Sequence, residues 1–141
     1  MQISTKITTV SAMEVLGVEI ASRLTVGDLV ILRGELAAGK TALVRGLGAG
    51  LGIIEQISSP TFVIARRHLG PIPLTHVDLY RLLDHSNVRA EVGDLDLEAD
   101  LTTGVVVVEW GDETFFDEVR LVVAITITSS EEREVTLDWR N

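Results

Sequence analysis

The stretch that decides the fold is "DLVILRGELAAGKTALVRGLGAGLG", residues 28 to 52. It opens with a short apolar run, Asp28 to Gly34, of the kind buried on both faces in a parallel sheet. It closes with a helix expected from about Lys40 to Leu51, ended by Gly50 and Gly52. Between them "GELAAGKT", Gly34 to Thr41, fits Gly, four residues, Gly-Lys and Ser or Thr. In a strand–loop–helix unit the loop's N–H groups can face phosphate oxygens, and the helix N-terminus adds partial positive charge. Gly34, Ala37, Ala38, Gly39 and Ala42 are therefore the candidate backbone cradle. Lys40 would reach the outer phosphates, and Thr41 would offer its hydroxyl to magnesium. The chain's only lysines are Lys6 and Lys40, and every other basic residue is arginine. A compact ammonium suits a phosphate nest where a planar guanidinium does not.

Working outward, "QISTKITT" alternates and is rich in β-branched residues, so it reads as a strand. Ser11 with Glu14 suggests a capping box for a helix that places Met13, Leu16, Ile20 and Leu24 on one face, with Gly27 ending the unit. "TFVIARRH", "IPLTHVDLY" and "VVVVEW" read as strands, and "LLDHSNVRAEV" and "LDLEADL" as short helices. "VRLVVAITI" and "REVTLDW" read as a final antiparallel pair turned at Ser129 and Ser130. This order predicts one domain over residues 1–141. It is a three-layer α/β, P-loop NTPase-like domain with a mixed, mostly parallel sheet and an antiparallel C-terminal strand pair.

Composition narrows the class. The chain has 141 residues, 46% of them apolar, enough for one cored domain. With no cysteine, disulfides and thiolate metal sites are impossible. No apolar run approaches the roughly 18 residues of a membrane span, and the start lacks the apolar core of a secretory signal. The expectation is a soluble, cytoplasmic protein. Twelve basic against 21 acidic residues give a net charge of −9. That argues against gripping a nucleic-acid backbone unaided and favours basic partner surfaces.

The base and the chemistry follow from what surrounds the loop. Asn-Lys-x-Asp and Asp-x-x-Gly elements of guanine-specific proteins are absent, which favours ATP. If "THVDLYRL" is a strand, His76, Asp78 and Tyr80 share a face. Asp78 then sits where a strand-end carboxylate holds magnesium, or else is a solvated strand-end acid. His76 is expected to be packed or hydrogen-bonded rather than a ligand. In "SSPTF", Thr61 could meet the γ-phosphate or the metal, or could simply mark a loop-to-strand junction at Pro60. Asp94, Asp96, Glu98 and Asp100 are read as a solvated acidic face, because alternate spacing does not suit one helical face. In "VVVVEWGD", residues 105 to 112, the valines predict burial, and Glu109 and Trp110 follow at the strand's end.

Taken in order and spacing, "GELAAGKT", "SPTF", "HVDLYRL" and "EW" after a valine strand resemble the bacterial TsaE (YjeE) family over nearly the whole chain. The resemblance implies a small magnesium-dependent P-loop ATPase, required with the TsaD and TsaB proteins for threonylcarbamoyladenosine formation at tRNA position 37. It would touch tRNA only through those partners. The resemblance implies that Lys40 and Thr41 take the phosphate and magnesium roles and Thr61 a switch-like role near the γ-phosphate. Asp78 becomes the magnesium-associated acid. Glu109 becomes the acid implicated in hydrolysis and, with Thr41 and Asp78, a candidate metal ligand. Trp110 would lie near the nucleotide and the partner surface. The family usually reads Gly-Asp-Leu-Gly-Ala-Gly-Lys-Thr; here Glu35 and Ala37 replace Asp and Gly. A left-handed backbone at Ala37 would cost roughly 1–2 kcal/mol. Gly111 stands where the family often has Pro or Ala, which is expected to loosen the segment after Trp110. Two other readings stay open. One is a small-molecule kinase with Arg66, Arg67, Arg81 and Arg89 as a phosphate-clamping lid. The other is a nucleotide-sensing module that binds without hydrolysis.

Overall fold

The computed structural model describes residues 2–35, 38–55, 57, 65–80 and 88–140. Seven strands form one mixed sheet: β1 (Gln2–Ile7), β2 (Leu29–Gly34), β3 (Ala65–His68), β4 (Leu74–Asp78), β5 (Val105–Glu109), β6 (Leu121–Ser129) and β7 (Glu132–Trp139). Their spatial order is β1-β7-β6-β2-β5-β4-β3. The four central strands, β6, β2, β5 and β4, run parallel. The flanks are antiparallel: β7 and β1 on one side, β3 on the other.

Strand alternation sorts the core into two layers. Val30, Leu32, Leu74, Val105 and Val107 face helices α1 (Val10–Ala21) and α2 (Lys40–Gly50). Leu29, Ile31, Val77, Val106 and Val108 face the opposite layer, where α3 (Val88–Asp94) and α4 (Leu97–Leu101) contribute Val92 and Leu97. All five residues of β5 are buried, which is why its sequence is a run of valines rather than an alternation. Each of its four buried valines contributes about 1.5–3 kcal/mol relative to exposure.

Helices α1 and α2 touch at backbone distance because glycines face the contact. A Cβ at Gly46 would stand 1.9 Å from the Glu14 carbonyl oxygen, and one at Gly17 2.3 Å from that of Leu43. Since the obstruction is backbone, it cannot rotate away. Gly46→Ala is expected to lower stability by about 3 kcal/mol or more, read as a reduced midpoint in urea unfolding. An unchanged midpoint would mean that the two helices do not pack this closely.

Several local expectations shift. The α1 cap is Thr9, not Ser11: Thr9 is extended (φ −138°) and its Oγ1 accepts from Ala12 N at 2.9 Å. Ser11 lies inside the first turn, and Glu14 instead approaches Arg45 at 3.8 Å. The C-terminal hairpin turns at Ser130 and Glu131, because Ser129 still pairs with Glu132 after an irregularity beyond Ile127. Helix α2 ends at Gly50, with Gly52 left-handed just beyond (φ +87°). Of "TFVIARRH", residues 65 to 68 are a strand; 61 to 64 lie outside the described residues, as do 81 to 87 of the segment before α3. No helix among the described residues is long and apolar enough to cross a membrane.

Candidate functional site

The parallel strands β2, β4 and β5 end side by side at Gly34, Asp78 and Glu109. Leu32 and Asp78 are the register partners of Glu109 on its two sides. The order turns back at β2, whose neighbours β5 and β6 both come later in the chain. Ligands of open α/β sheets bind in such a crevice beyond the carboxyl ends of the strands.

Gly39 caps α2 in a left-handed conformation (φ +108°) that glycine adopts freely. It has no side chain to turn back on the helix, so the first turn offers its N–H groups outward. Gly34 is constrained more mildly, by space alone: a Cβ there would stand 3.1 Å from the Ile125 carbonyl oxygen and 3.2 Å from Ala38 Cβ. Ala38 is buried, and its carbonyl accepts from Arg133 Nε at 3.2 Å, tying the loop to β7. Ala37 lies outside the described residues. Sequence reasoning missed Arg133, since nothing local marks an arginine 95 positions away.

Lys40 projects into the strand-end crevice and is 6% exposed. Its Nζ donates to the Gly34 carbonyl at 2.7 Å, lies 4.0 Å from Glu109 Oε1 and sits 3.8 Å from the centre of the Trp110 ring. Burial pulls its pKa below the ordinary lysine value, while the carboxylates of Glu109 and Asp78 oppose that shift. Asp78 moves the other way. Burial raises its pKa, a backbone hydrogen bond from Tyr80 N (2.9 Å) lowers it, and the Glu109 charge raises it again. Glu109 is 3% exposed and His76 fully buried; His76 Nε2 is hydrogen-bonded to Glu109 Oε2. His76 and Asp78 do share a face, as alternation predicts, and Tyr80 lies beyond the strand against Trp110 at 5.0 Å between ring centres.

Trp110 follows β5 with φ +62°, a left-handed backbone that costs a bulky residue roughly 1–2 kcal/mol. Strain of this kind collects where a side chain must be aimed. Gly111 beyond it is closely packed rather than loose: a Cβ would stand 2.7 Å from Val108 Cγ1. Asp112 then caps a short 3-10 turn, Glu113–Phe115, by accepting from Thr114 N at 2.9 Å.

Ala38, Gly39, Lys40, Thr41, Ala42, Asp78, Glu109 and Trp110 thus line one cleft of about 370 Å³. It opens into a larger cleft of about 650 Å³ that shares Val10, Ala38, Gly39 and Ala42 with it and runs on to Ser129–Arg133 of the β6–β7 hairpin. The smaller cleft is where charge converges, so it is the candidate reaction site. Thr61 lies outside the described residues. The Thr41 hydroxyl and the Asp78 carboxylate are hard oxygen donors, which fits magnesium, an ion that takes one or two carboxylates and completes its shell with water and phosphate. No group of three or more histidine or acidic side chains able to hold a metal occurs among the described residues, and the acidic run at 94–100 forms none. Within that run Asp100 is held by Arg67 in a two-pronged pair (2.7 and 2.9 Å). Arg67 is thereby engaged with Asp100, Arg66 is exposed on β3, and neither lines this cleft. Arg81 and the Arg89 side chain lie outside the described residues.

A crevice at the point where strand order turns back, with a glycine-edged loop leading into the helix beside it, defines a small α/β domain of the P-loop class. Comparison with known proteins makes this particular. Residues 7–135 match the family described as threonylcarbamoyl adenosine biosynthesis protein TsaE. A Streptomyces coelicolor protein named tRNA threonylcarbamoyladenosine biosynthesis protein TsaE is 50% identical over 135 residues, covering 89% of this chain and 88% of that one. A Mycobacterium bovis protein of the same name is 46% identical, covering 69% of this chain and 61% of that one. The crystal structure of Bacillus subtilis YdiB superposes with a TM-score of 0.78 at 28% identity, covering all of this chain and 87% of that one. The chain belongs to the TsaE family.

Proposed function

We propose that the chain is the ATP-hydrolysing subunit of the tRNA threonylcarbamoyladenosine machinery, working in the cytoplasm with TsaD and TsaB and meeting tRNA only through them. The observation that carries this reading is the convergence of Lys40, Asp78 and Glu109 in one cleft at the head of α2. In this reading the polyphosphate lies along the loop, with Lys40 turning from the Gly34 carbonyl towards phosphate oxygen. The larger adjoining cleft takes the nucleoside. Thr41 and Asp78 would hold magnesium, which when bound neutralises charge on the phosphates. Glu109 orients a water for attack on the γ-phosphorus, giving ADP and inorganic phosphate. In this reading Asp78 is committed to magnesium, so the role in hydrolysis falls to Glu109, whose Oε1 lies on the Lys40 side at 4.0 Å from Nζ. Trp110 borders the cleft beside Lys40, and Tyr80 is half exposed next to it, so nucleotide and partner can meet at this rim. A net charge of −9 suits a subunit that acts through protein contacts.

The test is a reconstituted reaction with tRNA, TsaD, TsaB, ATP and this chain, scored as modified tRNA per TsaD. Repeated turnover is expected with the wild-type chain and a single round at most with Lys40→Met. Equal yields with and without the chain would contradict the assignment.

A further inference from the structure

His76 is fully buried in β4, opposite Val107 of β5 and on the face that carries Asp78 and Glu109. Its same-face neighbours, Leu74 on β4 and Val107 on β5, are the apolar kind that such a site accepts without cost. Only one of its nitrogens is used among the described residues: Nε2 meets Glu109 Oε2, and Nδ1 has no partner. A buried polar nitrogen without a partner costs stability that leucine would not. That cost is spent on a single contact with the acid assigned to hydrolysis.

The tautomer follows from the same geometry. An ionised Glu109 carboxylate can only accept, so in this contact Nε2 carries the proton and donates it to Glu109. A glutamate at a strand end turns about three side-chain bonds. Fixing one carboxylate oxygen removes that freedom and leaves Oε1 on the Lys40 side, 4.0 Å from Nζ, in a residue that lines the cleft.

We infer that His76 is a positioning residue that locks the Glu109 carboxylate with one oxygen turned to the γ-phosphate end of the cleft. This rests on the hydrolytic reading above. It assigns His76 no contact with nucleotide, so its loss should change turnover and leave binding alone.

Three variants and one spectrum decide it. His76→Leu fills the core and removes the donor. It should unfold at a temperature no lower than wild type, bind ATP within about threefold of it, and lose about 30-fold or more in kcat with KM little changed. His76→Gln carries an N–H at similar reach and should recover kcat to within about fivefold of wild type. Independently of activity, nitrogen-15 spectra of the imidazoles should show His76 protonated on Nε2 and bare on Nδ1, with the Nε2 proton signal displaced in Glu109→Ala. A folded His76→Leu protein with wild-type kcat, or a proton found on Nδ1, would overturn the inference while leaving the hydrolytic reading intact. A wild-type chain that binds ATP but never turns it over, alone or with partners, would overturn both.

Discussion

Lys40→Met is expected to weaken binding of magnesium–ATP by about 30-fold, near 2 kcal/mol, and to reduce turnover by about 10²–10³-fold. The structure explains why one side chain carries so much. Its ammonium is nearly enclosed yet keeps three electrostatic partners: the Gly34 carbonyl, the Glu109 carboxylate and the face of Trp110. Holding a cation out of water there is unfavourable on its own, and burial pulls the lysine pKa down. A phosphate in the loop supplies a stronger counter-charge in the same space. Methionine keeps the length and apolar stem and deletes only the charge, so the fold should persist while binding fails. Lys40→Arg should not rescue, since a planar guanidinium cannot occupy a space bounded by a carbonyl and an indole face. Calorimetric titration with ATP checks the result, and equal affinity in wild type and Lys40→Met would remove the phosphate loop from the account.

Glu109→Gln is expected to separate binding from chemistry. The amide occupies the same volume, and its carbonyl oxygen can still accept from His76 Nε2. What is lost is the charge that, in the proposed mechanism, orients and polarises water, an expected loss of about 10²–10⁴ in kcat. Affinity for ATP should hold or rise slightly, since the variant removes a negative charge from the cleft in which the proposal places polyphosphate. Single-turnover and steady-state rates measured together will show whether the loss lies in the hydrolytic step. If Glu109→Gln turns over as fast as wild type, Glu109 is not the hydrolytic acid, and Asp78, the other carboxylate lining the described cleft, becomes the candidate.

Much of the fold was legible because local rules govern it. The run Leu29–Gly34 and the helix from Lys40 follow one another without long-range information, and both sit within one residue of their expected bounds. The same holds for the all-buried β5 and for the shared face of His76 and Asp78, which need only strand alternation. Long-range pairing was not legible. Nothing in "QISTKI" says that β1 closes the sheet against β7, at the edge opposite β3, because that pairing joins Gln2 with Asp138. The Thr9 cap was misread since Thr9 and Ser11 both offer a hydroxyl, and only backbone geometry separates them.

The site was legible in its residues but not in its wiring. Lys40, Asp78 and Glu109 could each be named from motif and strand position. That Glu109 lies between Lys40 and His76 depends on the register of three strands. The left-handed backbone of Trp110, which turns its ring under the Lys40 ammonium, had no local signal beyond the glycine that follows. Thr61 and Ala37 lie outside the described residues and keep the standing of sequence-based expectations.

Whether this cleft hydrolyses ATP is decided by phosphate release from ATP by this chain in the presence of TsaD and TsaB, with Lys40→Met and Glu109→Gln run beside it. The account predicts steady release by wild type, loss of both binding and release in Lys40→Met, and retained binding without release in Glu109→Gln. Release that persists undiminished in both variants would contradict it.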